Sequence, residues 1–243
     1  MAPQTVSAPR VLMVRNEERS GGGRLLNWLP EEGLDLAEVE GPEAPDTPDG
    51  YEGVVLLGGG FLPDDDAGRP WLAGERRLAR RAVAGGVPLL GICLGAQLLA
   101  AAHGGTVEGD HGTPERGSHQ VTRRPEAGGD PLLRALPAVF PVIQNHRDQI
   151  TALPAGAVHL AASPLCPVQA FRLGASAWGV QFHPEVGAAR LAHWNAAALA
   201  EDGLDLSALH AEAERREPDS ARAARRLVAN FATVVRERAA TRP

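Results

Sequence analysis

The chain has 243 residues, 44% of them hydrophobic and 22% charged, which is enough to bury a sizeable core as one α/β domain or two small ones. A formal charge of −6, with no basic run ahead of the C-terminal region, argues against a nucleic-acid partner, and no apolar stretch approaches the roughly 20 residues of a membrane span. Two cysteines, Cys93 and Cys166, cannot form a disulfide framework and suit a reducing, cytoplasmic compartment. The opening MAPQTVSAPRVLMVRNEE lacks the basic lead and long apolar run of a secretory leader.

In chain order, Val11 to Val14 reads as a buried strand, Gly21 to Pro30 as a helix and Leu34 to Val39 as a second strand. A Pro- and Asp-rich link then leads to a third strand, Gly53 to Leu57, which ends in Gly58-Gly59-Gly60. Trp71 to Ala84 has helical periodicity with arginines on its polar side. Strands alternating with helices predict an α/β fold: an open, mostly parallel sheet flanked by helices, with function at the carboxyl ends of the strands. After Gly105 the pattern changes to short strand-like runs at 106–107, 118–123, 139–143, 158–162, 168–173 and 176–182, divided by Pro and Gly. The tail from Ala188 predicts a C-terminal helical extension, with helices near 188–200, 206–216 and 219–238. In the last of these, Ala224, Leu227, Val228, Phe231, Val234 and Val235 form an apolar stripe at helical spacing. The stripe predicts packing against the domain, a dimer or partner surface being the alternative. With no internal repeat and no clear boundary, residues 1–243 read as one domain, a core over 8–187 followed by helices over 188–243.

The stretch with the clearest chemistry is Val87 to Ala100. An apolar strand, VPLLGI, breaks at Gly-x-Cys-x-Gly and continues as the helix former LGAQLLAAAH, stopping at Gly104-Gly105. Strand, glycine-flanked cysteine and helix form the layout of a nucleophile elbow. The glycines permit a sharp turn that leaves Cys93 exposed. The helix N-terminus favours the thiolate, the nucleophilic form, and the Leu94 N–H faces any oxyanion at the attacked carbon. Acyl transfer from cysteine needs a base and a group to orient it, and Gln181-Phe182-His183-Pro184-Glu185 can supply both. Proline keeps His183 extended, and in extended chain residues i and i+2 project to the same side, which places Glu185 beside His183. A buried structural cysteine and a plain loop are the bland readings of the two motifs taken singly.

Together, GICLGAQ and QFHPEV some 90 residues later resemble the class I (triad-type) glutamine amidotransferases, in particular the stand-alone GMP synthase-like ones, over nearly the whole chain. The resemblance implies a flavodoxin-like fold, Cys93 as nucleophile, His183 as base and Glu185 as its partner. It implies Gly59 and Leu94 as oxyanion donors and Gln97 as a contact of the glutamine substrate. It also implies that Gln144-Asn145-His146-Arg147-Asp148 is the substrate-holding loop, with His146, Arg147 and Asp148 as binding residues. The implied reaction hydrolyses the glutamine side-chain amide without metal, nucleotide or redox cofactor, and passes ammonia to a separate acceptor or synthetase. A hydrolase of γ-glutamyl amides or peptides and an inactive, partner-binding member are the alternatives, and a homodimer is left open. No Walker loop or Ser-Gly-Gly-x-Asp-Ser loop accompanies the motifs, so the chain by itself would not make GMP. Two departures stand out: Gly60 replaces the usual proline after Gly-Gly, predicting a looser turn, and Arg147 replaces the usual loop glycine. His111 and His119 read as surface or packing residues, Cys166 as a structural thiol and Asp64 to Asp66 as a solvated loop. Glu115-x-Gly117-x-His119-x-Val121 matches a stretch in such proteins and is given no role.

Overall fold

The computed structural model describes residues 8–241; the first seven residues of the opening stretch, part of the leader reading, lie outside that span. Strands β1 (Arg10–Arg15), β2 (Asp35–Glu40), β3 (Gly53–Leu56) and β4 (Leu89–Ile92) alternate with helices α1 (Leu25–Glu31) and α2 (Leu72–Ala84), and α3 (Leu94–Ala102) follows β4. Then come β5 (Thr106–Glu108), β6 (Glu115–Arg123), β7 (Val139–His146), β8 (Gln149–Ala152), β9 (Val158–Ala162), β10 (Ala170–Leu173) and β11 (Ala177–Val180). Helices α4 (Ala196–Glu201) and α5 (Leu206–Thr241) end the described chain.

Among the described residues, nine strands form one sheet in the order β2-β1-β3-β4-β11-β10-β9-β6-β7, and β5 and β8 pair separately. The pairings are parallel from β2 through β4 to β11 and antiparallel from β11 to β7. β8 is not among the strands expected from the sequence pattern: it has four residues, and its partner is the three-residue β5. Because side chains alternate along a strand, the parallel half presents an apolar set to each face. Val11, Met13, Val55, Leu57, Leu90 and Ile92 belong to a cluster with Leu25 and Leu29 of α1 and Leu227, Val228, Phe231 and Val235 of α5. Leu12, Val14, Val54, Leu56 and Leu89 face Leu78, Ala79 and Ala82 of α2 and Ala96, Leu99 and Ala100 of α3. This is the sandwich of helices about an open sheet that the alternating pattern predicts.

The predicted break between the last two helices is absent: α5 runs as one helix of 36 residues with Pro218 inside it. Proline removes one intrahelical hydrogen bond and crowds the preceding turn, but residues on both sides are pinned elsewhere. Arg216 donates to the Ser118 carbonyl at 3.2 Å. Glu217 pairs with Arg24 and accepts from the Ala188 N–H at 2.9 Å. Ser220, Ala223 and Ala224 are buried immediately after the proline. The predicted stripe packs as expected, with Leu227, Val228, Phe231 and Val235 at most 1% exposed.

Candidate active site

Four parallel strands deliver their carboxyl ends to one place. Asn16 and Glu17 follow β1, Gly58 to Gly60 follow β3, Cys93 follows β4 and His183 follows β11, the position at which open α/β sheets bind ligands. Cys93 caps α3 with φ 52° and ψ −108°, a left-handed conformation costly for a residue with a Cβ. The flanking glycines act by close approach. A Cβ at Gly91 would sit 2.4 Å from the Gly95 carbonyl oxygen, and one at Gly95 would sit 2.1 Å from that of Leu56. Helix α3 is thereby pressed against β3 and β4, and Cys93 is 6% exposed rather than open to solvent. Its own N–H is spent on the Val180 carbonyl at 2.8 Å. The Leu94 N–H, in the first turn of α3, has no intrahelical acceptor.

His183 is extended into the site by a hydrogen bond from its N–H to the Ile143 carbonyl on β7, at 2.9 Å. Its Nδ1 lies 2.6 Å from Glu185 Oε1, the i, i+2 pairing read from the sequence. Glu185 is 5% exposed, and its carbonyl accepts from the Arg24 N–H at 3.0 Å. That approach requires Gly23, which has φ +49° and leaves no room for a Cβ, since one would lie 2.2 Å from the Glu185 oxygen. Among the described residues His183 Nε2 has no partner at ordinary hydrogen-bond geometry, and Cys93 is one of the two neighbours, with Glu185, that act on this imidazole. Burial alone would lower the His183 pKa, but the Glu185 charge and then Cys93 more than reverse this and hold it well above the usual histidine value.

The other residues named from sequence divide into two groups. Gly59 lies on the wall of the Cys93 cavity, where a Cβ would come within 2.7 Å of Leu94 Cδ2. None of Gly58, Gly59 and Gly60 adopts a positive φ, and Phe61 and Leu94 pack against the turn that was expected to be loose. The side chains of Gln97, His146, Arg147 and Asp148 are engaged elsewhere. Gln97 is 2% exposed, and its Nε2 donates to the Asp148 carbonyl at 3.3 Å and to Gln181 Oε1 at 3.2 Å. His146 Nδ1–H donates to the same carbonyl at 3.2 Å, and its Nε2 lies 3.1 Å from Glu115 Oε2. Arg147 reaches outward to Asp202 at 2.8 Å and to Asp110 at 3.5 Å, while Asp148 Oδ1 accepts from the Asp110 N–H at 3.0 Å.

The cavity at Cys93 has a volume of about 310 Å³, and His183, Gly59, Glu17, Arg116, Asn145 and Asp202 are among its lining residues. A second cavity of about 850 Å³ adjoins it, sharing His183, Asn145, Arg190 and Trp194. No sequence motif marks Arg116, and Asn145 is marked only by its place in the loop expected to hold substrate. They face each other across the β6–β7 register, and Arg116 donates to Asn145 Oδ1. Burial lowers the Arg116 pKa and the Arg147 charge adds to this, while Asp202 opposes both. Nor is Gln181 marked on its own, although it opens the His183 motif: its Nε2 donates to Cys93 Sγ at 3.5 Å. Glu115, His146 and Cys166 are buried with potential metal-ligating atoms within 4.8 Å of one another. The Glu115 carboxylate is already occupied by His146, Ser163 and Gln169. Burial first, and then Glu115, push the Cys166 thiol up to about 12.

A family model described as glutamine amidotransferase class-I matches residues 34–193. The GMP synthase (glutamine-hydrolyzing) of Porphyromonas gingivalis is 36% identical over 143 residues, which is 58% of this chain and 26% of that protein; the chain thus spans about a quarter of that relative's length. In Halobacterium salinarum, a protein named as one subunit of the glutamine-hydrolyzing GMP synthase is 34% identical over 165 residues, covering 67% of this chain and 80% of that one. The crystal structure of a glutamine amidotransferase from Thermotoga maritima superposes with a TM-score of 0.82 at 29% identity, over 93% of this chain and 98% of that chain.

Proposed function

Because the chain belongs to the class I glutamine amidotransferase family, we propose that it hydrolyses the side-chain amide of glutamine through a thioester on Cys93. The observation that carries the reading is the convergence of the Cys93 elbow with a His183 whose Nδ1 lies 2.6 Å from Glu185. The Cys93 thiolate attacks the carboxamide carbon, and the N–H groups of Leu94 and Gly59 receive the oxyanion. His183, raised in basicity by Glu185, gives its proton to the departing nitrogen. The C–N bond breaks, ammonia leaves and a γ-glutamyl thioester remains. Water, deprotonated by His183, then displaces the thiolate and releases glutamate. The loop over 144–148 and the Arg116–Asn145 pair would hold the amino-acid end of the substrate. A separate synthetase as ammonia acceptor is supported by the name of the halobacterial relative, which is one subunit of its synthase.

A second reading, hydrolysis of larger γ-glutamyl amides, is favoured by the cavity of about 850 Å³ that has His183 in its lining and adjoins the Cys93 cavity. The experiment is glutamate release from purified protein given glutamine or a panel of γ-glutamyl amides, with Cys93→Ala as control. Turnover of glutamine that vanishes in the variant is the expected result. Preference for an amide with a bulky amine would select the second reading, and no turnover of any substrate would overturn both.

A further inference from the structure

The hydrogen bonds beneath Cys93 have a direction that the amide geometry alone does not decide, since the oxygen and nitrogen of a glutamine side chain are interchangeable in shape. One group in the chain cannot reverse. The Asp148 backbone carbonyl only accepts, and it does so from His146 Nδ1–H at 3.2 Å and from Gln97 Nε2 at 3.3 Å. This fixes the Gln97 amide with its NH₂ toward Asp148. The same nitrogen gives its second hydrogen to Gln181 Oε1 at 3.2 Å. Gln181 must then turn its own NH₂ toward Cys93, where it lies 3.5 Å from Sγ. At the far end, His146 is held by the Glu115 carboxyl at 3.1 Å, and Glu115 is itself held by Ser163 at 2.8 Å and Gln169 at 2.6 Å. Every side chain in this series is buried.

We infer that this series, anchored at Glu115 and running through His146, the Asp148 carbonyl and Gln97, orients Gln181 as a hydrogen-bond donor to the Cys93 sulfur and thereby favours its thiolate. The inference builds on the reading of Cys93 as nucleophile and gives a role to Glu115, the first residue of the Glu115-x-Gly117-x-His119-x-Val121 stretch. Gln181 touches the reacting atom; Gln97, His146 and Glu115 are positioning residues. A donor aimed at sulfur stabilises the anion over the thiol, whereas an amide oxygen in the same place would repel it. Other groups also act on this sulfur: His183, backed by Glu185, lies beside it, and Arg116 of β6 acts across the cavity. Glu17 and Arg19 after β1, Arg190 and His193 before α4, and Asp202 after it line the same space.

The test is the pH dependence of Cys93 alkylation by iodoacetamide, read by peptide mass so that Cys166 is scored separately, with folding checked by thermal melting. Alkylation needs no glutamine turnover, so the outcome is independent of whether the proposed reaction occurs. In Gln181→Glu the midpoint rises by about one pH unit or more, because an acceptor replaces the donor. Gln97→Met, which does not touch the sulfur, gives a smaller rise in the same direction, because Gln181 is then free to turn. Glu115→Gln retains an acceptor oxygen for His146 and lies nearer to wild type than Glu115→Ala. A Gln97→Met profile that overlays wild type would overturn the inference, and so would equal midpoints for Gln181→Glu and the unaltered protein. Should Gln181→Glu fail to fold, Gln97→Met decides alone.

Discussion

Cys93 holds a backbone conformation that glycine would adopt at no steric cost, with φ 52°. Replacing it with alanine or glycine removes the thiol in both cases, and neither variant is expected to release glutamate. Cys93→Gly, however, should be more stable than Cys93→Ala by about 1 kcal/mol, although it has the smaller side chain. Equal denaturation midpoints for the two would show that the elbow carries no strain. His183 supplies a second prediction. Its pKa is raised by Glu185 and Cys93 against the lowering effect of burial, so its ionic contribution to stability is complete below about pH 6.5 and is lost as pH climbs through the raised value. Glu185→Gln should therefore be destabilised relative to wild type on the acid side of neutrality, with the gap closing toward alkaline pH in urea titrations. Glutamine turnover should fall about a hundredfold or more.

Between elements, the contact that steadies the site from the α2 side is Asn16, just past β1. Its Nδ2 lies 3.2 Å from Glu75 Oε2 of α2 and its Oδ1 accepts from Trp71 Nε1 at 2.9 Å. Burial raises the Glu75 pKa to about 7, with the Asn16 hydrogen bond opposing it. A carboxyl with a raised pKa contributes its stability fully below about pH 4.5 and loses it as pH rises through about 7. Glu75→Gln keeps the shape without the charge, so it should match wild type near pH 5 and exceed it by about 2 kcal/mol at pH 8. A constant offset at both pH values would argue against a buried charge as the cause.

What the sequence discloses about these elements follows from distance along the chain. The elbow and the His183–Glu185 pair each lie within a few residues, and strand or helix periodicity is enough to orient them. Arg116 and Asn145 meet only through the β6–β7 register, which depends on how much of each strand the sheet buries and is not written in either strand alone. The continuity of α5 was hidden for a similar reason: Pro218 is a valid local stop signal, overridden by Arg216 and Glu217 binding partners far away in sequence. The 144–148 segment runs from the end of β7 toward β8. Within it, the outward course of Arg147 and the inward course of His146 depend on Asp202 and Glu115, which no local pattern links to it.

For the molecule as a whole, α5 completes the core. Phe231 is fully buried and belongs to the same cluster as Val11 and Met13 of β1 and Leu90 of β4. Phe231→Ala should cost about 3–5 kcal/mol, seen as a large drop in the urea midpoint, although it lies outside the family-matched residues 34–193. An effect below about 1 kcal/mol would mean that the helix is an appendage. The meeting of β4 and β11 at the centre of the sheet has a further consequence in time. Cys93 leaves the ribosome about 90 residues ahead of His183, a lag on the order of 5–20 s at ordinary translation speeds. Throughout that interval the thiol has neither His183 nor the Gln181 amide beside it, since both follow β11. Under the proposed reaction, the newborn chain would carry its nucleophile unarmed until the insertion of one late strand switched it on.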